Sequence, residues 1–270
     1  LEDFDDAIRR EFAPIFYVRY VDDILIIKSY PKYMTIDDNS EKNLLYSLLN
    51  QIGLSANKSK TEIYKYTKTI KTLNFDYLGY NFKISDKKLQ IDISKKKYDK
   101  KVLNRLTRYF KYYKSSSHTD EDFWILYYRL KNLIYGVTSS GEKGTDHKLK
   151  FGIGFNYKFI NSDHRLKDLL KAFHYFRTKY SNYFTSEQTA RLFSLITVDS
   201  RVNGRIILNQ FSDTNDILLL LKKRITYTKY STIKLEEIAQ QIGCPSIVRS
   251  NDSLYRYNLQ IQIMKKLRIR

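Results

Sequence analysis

The sequence predicts an α+β protein, and three observations carry that expectation. Two runs rich in β-branched and aromatic residues, Ile15 to Tyr20 and Ile24 to Ile27, flank the pair Asp22-Asp23 and read as a tight hairpin with its carboxylates at the tip. A second hairpin pattern pairs Leu73 to Phe82 with Leu89 to Ile93 through Asp86-Lys87-Lys88. From Ser94 onward apolar residues recur at helical spacing, which predicts a largely α-helical remainder.

The elements follow in order. Residues 1–14 read as the end of a helix, closed by Pro14. The hairpin runs are mostly apolar on both faces, so burial on both sides is expected, with the tip reaching into a cleft. Two adjacent negative charges there are electrostatically poor unless a cation neutralises them. Mg²⁺ suits such a site, because it takes hard oxygen ligands and completes its shell with waters and phosphates. The plainer alternative is that Asp is common in turns for its own local hydrogen bonding. Ser40 to Ile52 forms an amphipathic helix with Leu44, Leu45, Leu48, Leu49 and Ile52 on one face, ended by Gly53. In the strand-like run Phe75 to Tyr80, Gly79 marks a bulge or a close backbone approach.

Beyond Ser94, nine basic residues from Lys95 to Lys114 crowd one helix whose apolar stripe is Tyr98, Val102, Leu106, Tyr109 and Tyr113. A second helix runs from Asp120 to about Tyr135, capped near Thr119. Ser139 to Lys150 reads as a linker or loop, followed by an aromatic, Gly-punctuated stretch to Ile160. Helices are expected near 162–180, 186–196, 215–227 and 234–242, the last with a mild helix-turn-helix look but better read as a short core helix. The tail from Leu259 to Arg270 is basic and amphipathic, suited to binding RNA or capping the helical pile.

Composition narrows the partners. A net charge of +19 points to a polyanion. The 24 Tyr and 15 Phe suit base stacking beside cations, although an AT-rich genome accounts for part of the Tyr excess. No apolar run reaches the length of a membrane span, and a lone cysteine, Cys244, excludes an intrachain disulfide and a Cys-rich zinc site. His118, His147, His164 and His174 lack metal-ligand spacing, and no Ser/His/Asp arrangement or phosphate-cradling glycine loop stands out. No signal peptide is visible, and a reducing cytoplasm is the simplest compartment. The chain reads as the C-terminal portion of a longer polypeptide.

Tyr20-Val21-Asp22-Asp23 between two apolar strands, led in by Tyr17-Val18-Arg19, resembles the YxDD box of bacterial reverse transcriptases. Two further stretches follow in the order expected of that family. Gly53 to Glu62 resembles its next box, with a Gly-Leu turn before Lys60-Thr61. Phe75-Asp76-Tyr77-Leu78-Gly79-Tyr80 resembles the primer grip, with Asp76 replacing the commoner apolar residue. Leu1 to Asp5 fits the tail of the preceding helix. The resemblance covers residues 15–82 and implies two-metal nucleotidyl transfer using Mg²⁺, or Mn²⁺ in its place. Asp22 would be the principal metal ligand from this chain. Asp23 would be a second ligand or would hold the turn. Lys60 would assist the leaving group, or is an exposed surface lysine. Tyr20 and Val21 would lie near the primer end, and Tyr77, Leu78, Gly79 and Tyr80 would contact the primer. Lys97, Lys101, Arg105 and Arg108 would face the nucleic acid. The family's first catalytic aspartate would lie upstream of this chain, since Asp3, Asp5 and Asp6 fit an acidic helix face better.

The implied fold is a partial polymerase palm of antiparallel hairpins and packed helices, followed by a helical thumb and a helical C-terminal extension. Its divisions would be palm over 1–93, thumb over 94–138, linker over 139–150 and extension over 151–270. The implied function is RNA-directed DNA polymerisation in bacterial antiviral defence. The partners would be an RNA template or non-coding RNA, dNTPs, the DNA product, the missing N-terminal part and further copies in an oligomer, with no membrane. The alternatives are an inert, polymerase-like RNA-binding subunit, a group II intron or retron-type enzyme, and a helical regulator with an incidental Tyr-Val-Asp-Asp turn.

Overall fold

The computed structural model describes residues 1–141, 148–202, 205–210, 214–249 and 251–268, with side chains described outside 198–216. Over these the protein is mixed α+β with small, mostly antiparallel sheets. It divides into two compact units, one of residues 1–78 and 82–89, the other of residues 79–81 and 90–270.

In the first unit, α1 (Glu2–Phe12) carries acids in its first turn and arginines in its last, as the helix dipole favours. Ala13 ends it in the left-handed region ahead of Pro14. Phe4, Ile8 and Phe12 recur at every fourth position and are buried against Leu48 and Leu49 of α2 (Asp38–Gln51), which Asp37 caps. The hairpin of β1 (Phe16–Tyr20) and β2 (Asp23–Ile27) pairs Tyr17 with Ile26 and Tyr20 with Asp23. Tyr17, Ile24 and Ile26 pack against this small core. The other face keeps Phe16, Tyr20 and Ile27 exposed. The hairpin is therefore buried on one side, not two, because the helices α1 and α2 cover a single face.

Next come β3 (Thr72–Tyr77), β4 (Tyr80–Ser85) and β5 (Lys88–Ile93), a three-stranded meander whose strands supply residues to both units. The run 73–82, expected as one strand, breaks at Leu78-Gly79, where φ is 50° and 86°. Positive φ at both central residues is the signature of a two-residue hairpin turn, so Gly79 makes a turn rather than a bulge. Asp86-Lys87, with φ of 49° and 65°, forms the second turn where expected.

The second unit begins with a helical run of α3 (Lys95–Lys97), a π-helical segment (Tyr98–Leu103) and α4 (Asn104–Lys114). Its buried stripe is Tyr98, Val102, Leu106, Phe110 and Tyr113. Phe110 takes the place expected for Tyr109, because the wider π turn keeps residues four apart on one face longer than a regular helix does. Then follow α5 (Asp120–Ile134), with a Thr119/Asp122 capping box, β6 (Gly136–Ser140), β7 (Lys148–Phe151), α6 (Ile153–Asn156), α7 (His164–Lys179) and α8 (Ser186–Ser194). The hairpin β8 (Thr197–Val202) and β9 (Arg205–Gln210) leads to α9 (Thr214–Leu219), β10 (Arg224–Thr226), α10 (Thr232–Gln241) and α11 (Asp252–Leu267).

Two expectations change here. Ser139-Ser140 and Lys148–Lys150 are strand rather than linker: β6 pairs antiparallel with β7 and parallel with β10, and residues 142–147 lie outside the described ones. β6 is nearly all buried, so its small polar residues are central-strand positions, not loop. Residues 224–226, expected as helix, form β10 on its other edge. One continuous core runs from Ile93 to Leu267 and takes in α4, α5, α7, α10 and α11. The packing therefore draws no line between a thumb ending at 138 and an extension beginning at 151. Arg129, buried in α5, ties that core to the chain end by donating to the carbonyls of Leu267 (3.2 Å) and Lys266 (3.3 Å). Residues 269 and 270 of the basic tail lie outside the described residues.

Candidate functional site: a carboxylate turn and a basic helix

The register Tyr20↔Asp23 leaves Val21 and Asp22 as the whole turn of the first hairpin. Val21 has φ 57°, a conformation a β-branched residue adopts only at a cost of about 1–3 kcal/mol. Asp22 and Asp23 are exposed beside it. Among the described residues neither carboxylate has a hydrogen-bond or ion-pair partner. Tyr77 reaches the turn through the backbone, its hydroxyl donating to the Asp23 carbonyl at 3.3 Å. Burial raises the pKa of that hydroxyl, and the Asp23 charge adds to the effect.

The turn is braced from α1. Arg19 donates to both carboxylate oxygens of Asp5, at 2.8 and 2.7 Å, and to the Val21 carbonyl at 3.2 Å. The Tyr17 hydroxyl donates to the same carboxylate at 2.5 Å. Asp5 is thus committed to bracing α1 against the hairpin, and the Arg19 guanidinium holds its pKa down at about 2. Burial, then the Asp5 bond, pushes Tyr17 up to about 12. The sequence held a signal for this: Arg19 is a lone charge on a strand face otherwise turned to the core. At the far end of the hairpin Lys28 and Tyr30 both donate to Glu41 of α2, at 2.8 and 2.6 Å. The acids around the turn are spent on packing, while the two at its tip are not.

Lys60 sits exposed in a short 3₁₀ turn (Lys58–Lys60) and shares no described contact with Asp22 or Asp23. Tyr20 and Val21 are exposed, 63 % and 72 %.

In the second unit, the Gly79 carbonyl accepts from the backbone of Ser94 at 3.0 Å, fixing the β3–β4 turn at the start of the basic helix. The Lys97 stem lies over Gly79 so closely that an added Cβ would stand 3.1 Å from Lys97 Cγ. The structure thus brings together the expected primer-grip glycine and the first expected nucleic-acid lysine. Tyr80 is otherwise engaged: its hydroxyl donates to the Asn156 carbonyl at 2.8 Å and its ring meets Tyr157 edge-on. Lys97, Lys101, Arg105 and Arg108 are all exposed. Asp99, the single acid between 95 and 114, is paired with Lys95 at 2.6 Å. Tyr77 and Leu78 belong to the first unit and Gly79 and Tyr80 to the second.

The histidines are in packing or surface roles: His118 stacks on Tyr183, His164 lies 3.7 Å from Asp168, and His174 contacts Arg177. His147 lies outside the described residues. Among the described residues no three His, Cys, Asp or Glu side chains gather into a metal-ligand group, and no helix is long and apolar enough to cross a membrane.

No family model, curated protein or solved structure matches this chain.

Proposed function

We propose that the chain carries the metal-binding turn and a nucleic-acid-binding helix of an RNA-directed DNA polymerase. The observation that supports this most is the tip of the first hairpin. Two adjacent, unspent carboxylates stand on a strained two-residue turn that an Arg19–Asp5 pair braces from behind. Asp22 and Asp23 fit a pair of Mg²⁺ ions, which bind through one or two carboxylates and fill the remaining positions with waters and substrate phosphates. Bound there, the ions would activate a primer hydroxyl and neutralise the charge that develops on the transferring phosphate. The chain's own residues supply the rest. Arg19 and the Tyr77 hydroxyl hold the turn's carbonyls, so the carboxylates keep one orientation through turnover. The turn at Leu78-Gly79 presents backbone without a Cβ at Gly79, where a sugar-phosphate chain can approach closely. Lys97, Lys101, Arg105 and Arg108 present cations to phosphates.

The length of the helical unit beyond the basic helix supports placing the protein with the phage-defence enzymes that work in the cytoplasm with a structured RNA. The test is incorporation of labelled dNTP on a primed RNA by the intact protein. Asp22→Asn should abolish incorporation while RNA binding persists. Wild-type incorporation by that variant removes the catalytic assignment.

A further inference from the structure

Lys131, on α5, is half-buried. Its Nζ lies over the rings of Tyr127 (5.5 Å) and Tyr128 (5.9 Å), and among the described residues it has neither a carboxylate nor a hydrogen-bond acceptor. Lys234 of α10 stands close enough to disfavour the charged form further, after burial itself, so the Lys131 pKa is lowered. Arg191 of α8 covers the ring of Trp124 at 5.1 Å. The nearby acids are already taken, Glu237 by Lys234 and Glu187 by Arg191, both at 2.8 Å. Around these cations the rings of Trp124, Tyr127 and Tyr128 contact one another, with centroids 5.4 to 5.8 Å apart.

A fold gains nothing in stability from a desolvated cation set beside a second cation. Cation–aromatic contact recovers only part of that cost. An incoming anion removes the conflict, since it supplies the acceptor that Lys131 lacks and screens Lys131 from Lys234. Aromatic rings beside unpaired cations are what single-stranded nucleic acid uses, bases stacking on the rings and phosphates meeting the ammonium groups.

We propose that Lys131, with Lys234 and the ring of Trp124, forms a phosphate site that takes the backbone of single-stranded nucleic acid. The protein's single tryptophan is part of the site, so Trp124 fluorescence reads it directly. Titration of the full chain with a short oligouridylate should quench Trp124 saturably. Lys131→Met should weaken that titration about tenfold or more, the loss expected when one charge-assisted hydrogen bond is removed, whereas Lys131→Arg should largely retain it. Lys131→Met should also melt at a higher temperature than the wild type without ligand, because it removes the desolvated charge while keeping the packing. An unchanged titration in Lys131→Met overturns the site. A lower melting temperature with unchanged affinity identifies Lys131 as a packing residue and overturns it too. Saturation by inorganic phosphate, with no tighter binding of the oligouridylate, overturns the nucleic-acid assignment in favour of a free phosphate ligand.

Discussion

At the residue scale, the first hairpin shows how little of its charge is free. Asp5 lies under Arg19 and Tyr17, and its folded pKa of about 2 is below its ordinary 3.8. A depressed carboxylate stabilises the fold fully above its unfolded pKa and loses that contribution as pH falls through the folded value. The brace should therefore weaken between about pH 4 and pH 2, and an acid titration followed by Tyr17 chemical shift should show the step. Asp5→Asn should remove the step and cost about 1 kcal/mol at neutral pH, the size of a partly screened ion pair; urea denaturation measures it. Val21 offers the opposite case. Its φ of 57° suits glycine, so Val21→Gly should stabilise the hairpin by about 1 kcal/mol once the extra freedom of the unfolded glycine is subtracted. A destabilised Val21→Gly would mean that the side chain, at 72 % exposure, gains more from packing than the turn loses in strain.

At the element scale, the sequence showed what local chemistry decides and missed what tertiary packing decides. The Tyr20–Asp23 turn, the leucine face of α2 and the Thr119 cap stand where the residues put them, because each depends on neighbours within a few positions, whereas Ile52, expected on that face, follows the helix and is exposed. Ser139 and Ser140 read as the start of a linker, since they are small and polar and precede Gly141. They are strand instead because they pair with β7 and continue β6, which β10 flanks on its other edge as far as Thr138. Residues 224–226 lost their helix to the same sheet. The hairpin's outer face reads as buried because it is apolar, and composition cannot say what covers a face. Arg19 carried a legible signal, a charge in a core-facing position, whose partner Asp5 was too distant in sequence to name. The helical run from Lys95 to Lys114 gives two sharp expectations. Phe110 is fully buried and meets Phe173, Phe176 and Tyr180, so Phe110→Ala should cost about 3–5 kcal/mol in denaturant unfolding. Gly79→Ala should cost about 1–2 kcal/mol, since φ 86° is unfavourable for any residue with a Cβ. The same variant should displace the Lys97 stem, which amide shifts of Ser94 to Lys97 would report.

At the scale of the whole molecule, the net charge of +19 and the exposed cations of the basic helix make one demand together. Binding to nucleic acid should weaken steeply with salt, and changing Lys97, Lys101, Arg105 and Arg108 together to Gln should lower the slope of log affinity against log salt by about 3. An unaltered slope would place the contacts elsewhere on the surface. The polymerase reading turns on whether the hairpin tip holds divalent ions beside a nucleotide. Paramagnetic broadening of backbone amides by Mn²⁺ in the presence of a dNTP reads that directly, without needing turnover. Val21, Asp22 and Asp23 should broaden first, and Asp22→Asn with Asp23→Asn should remove the effect. Broadening that leaves this turn untouched, or that survives in the double variant, would contradict it.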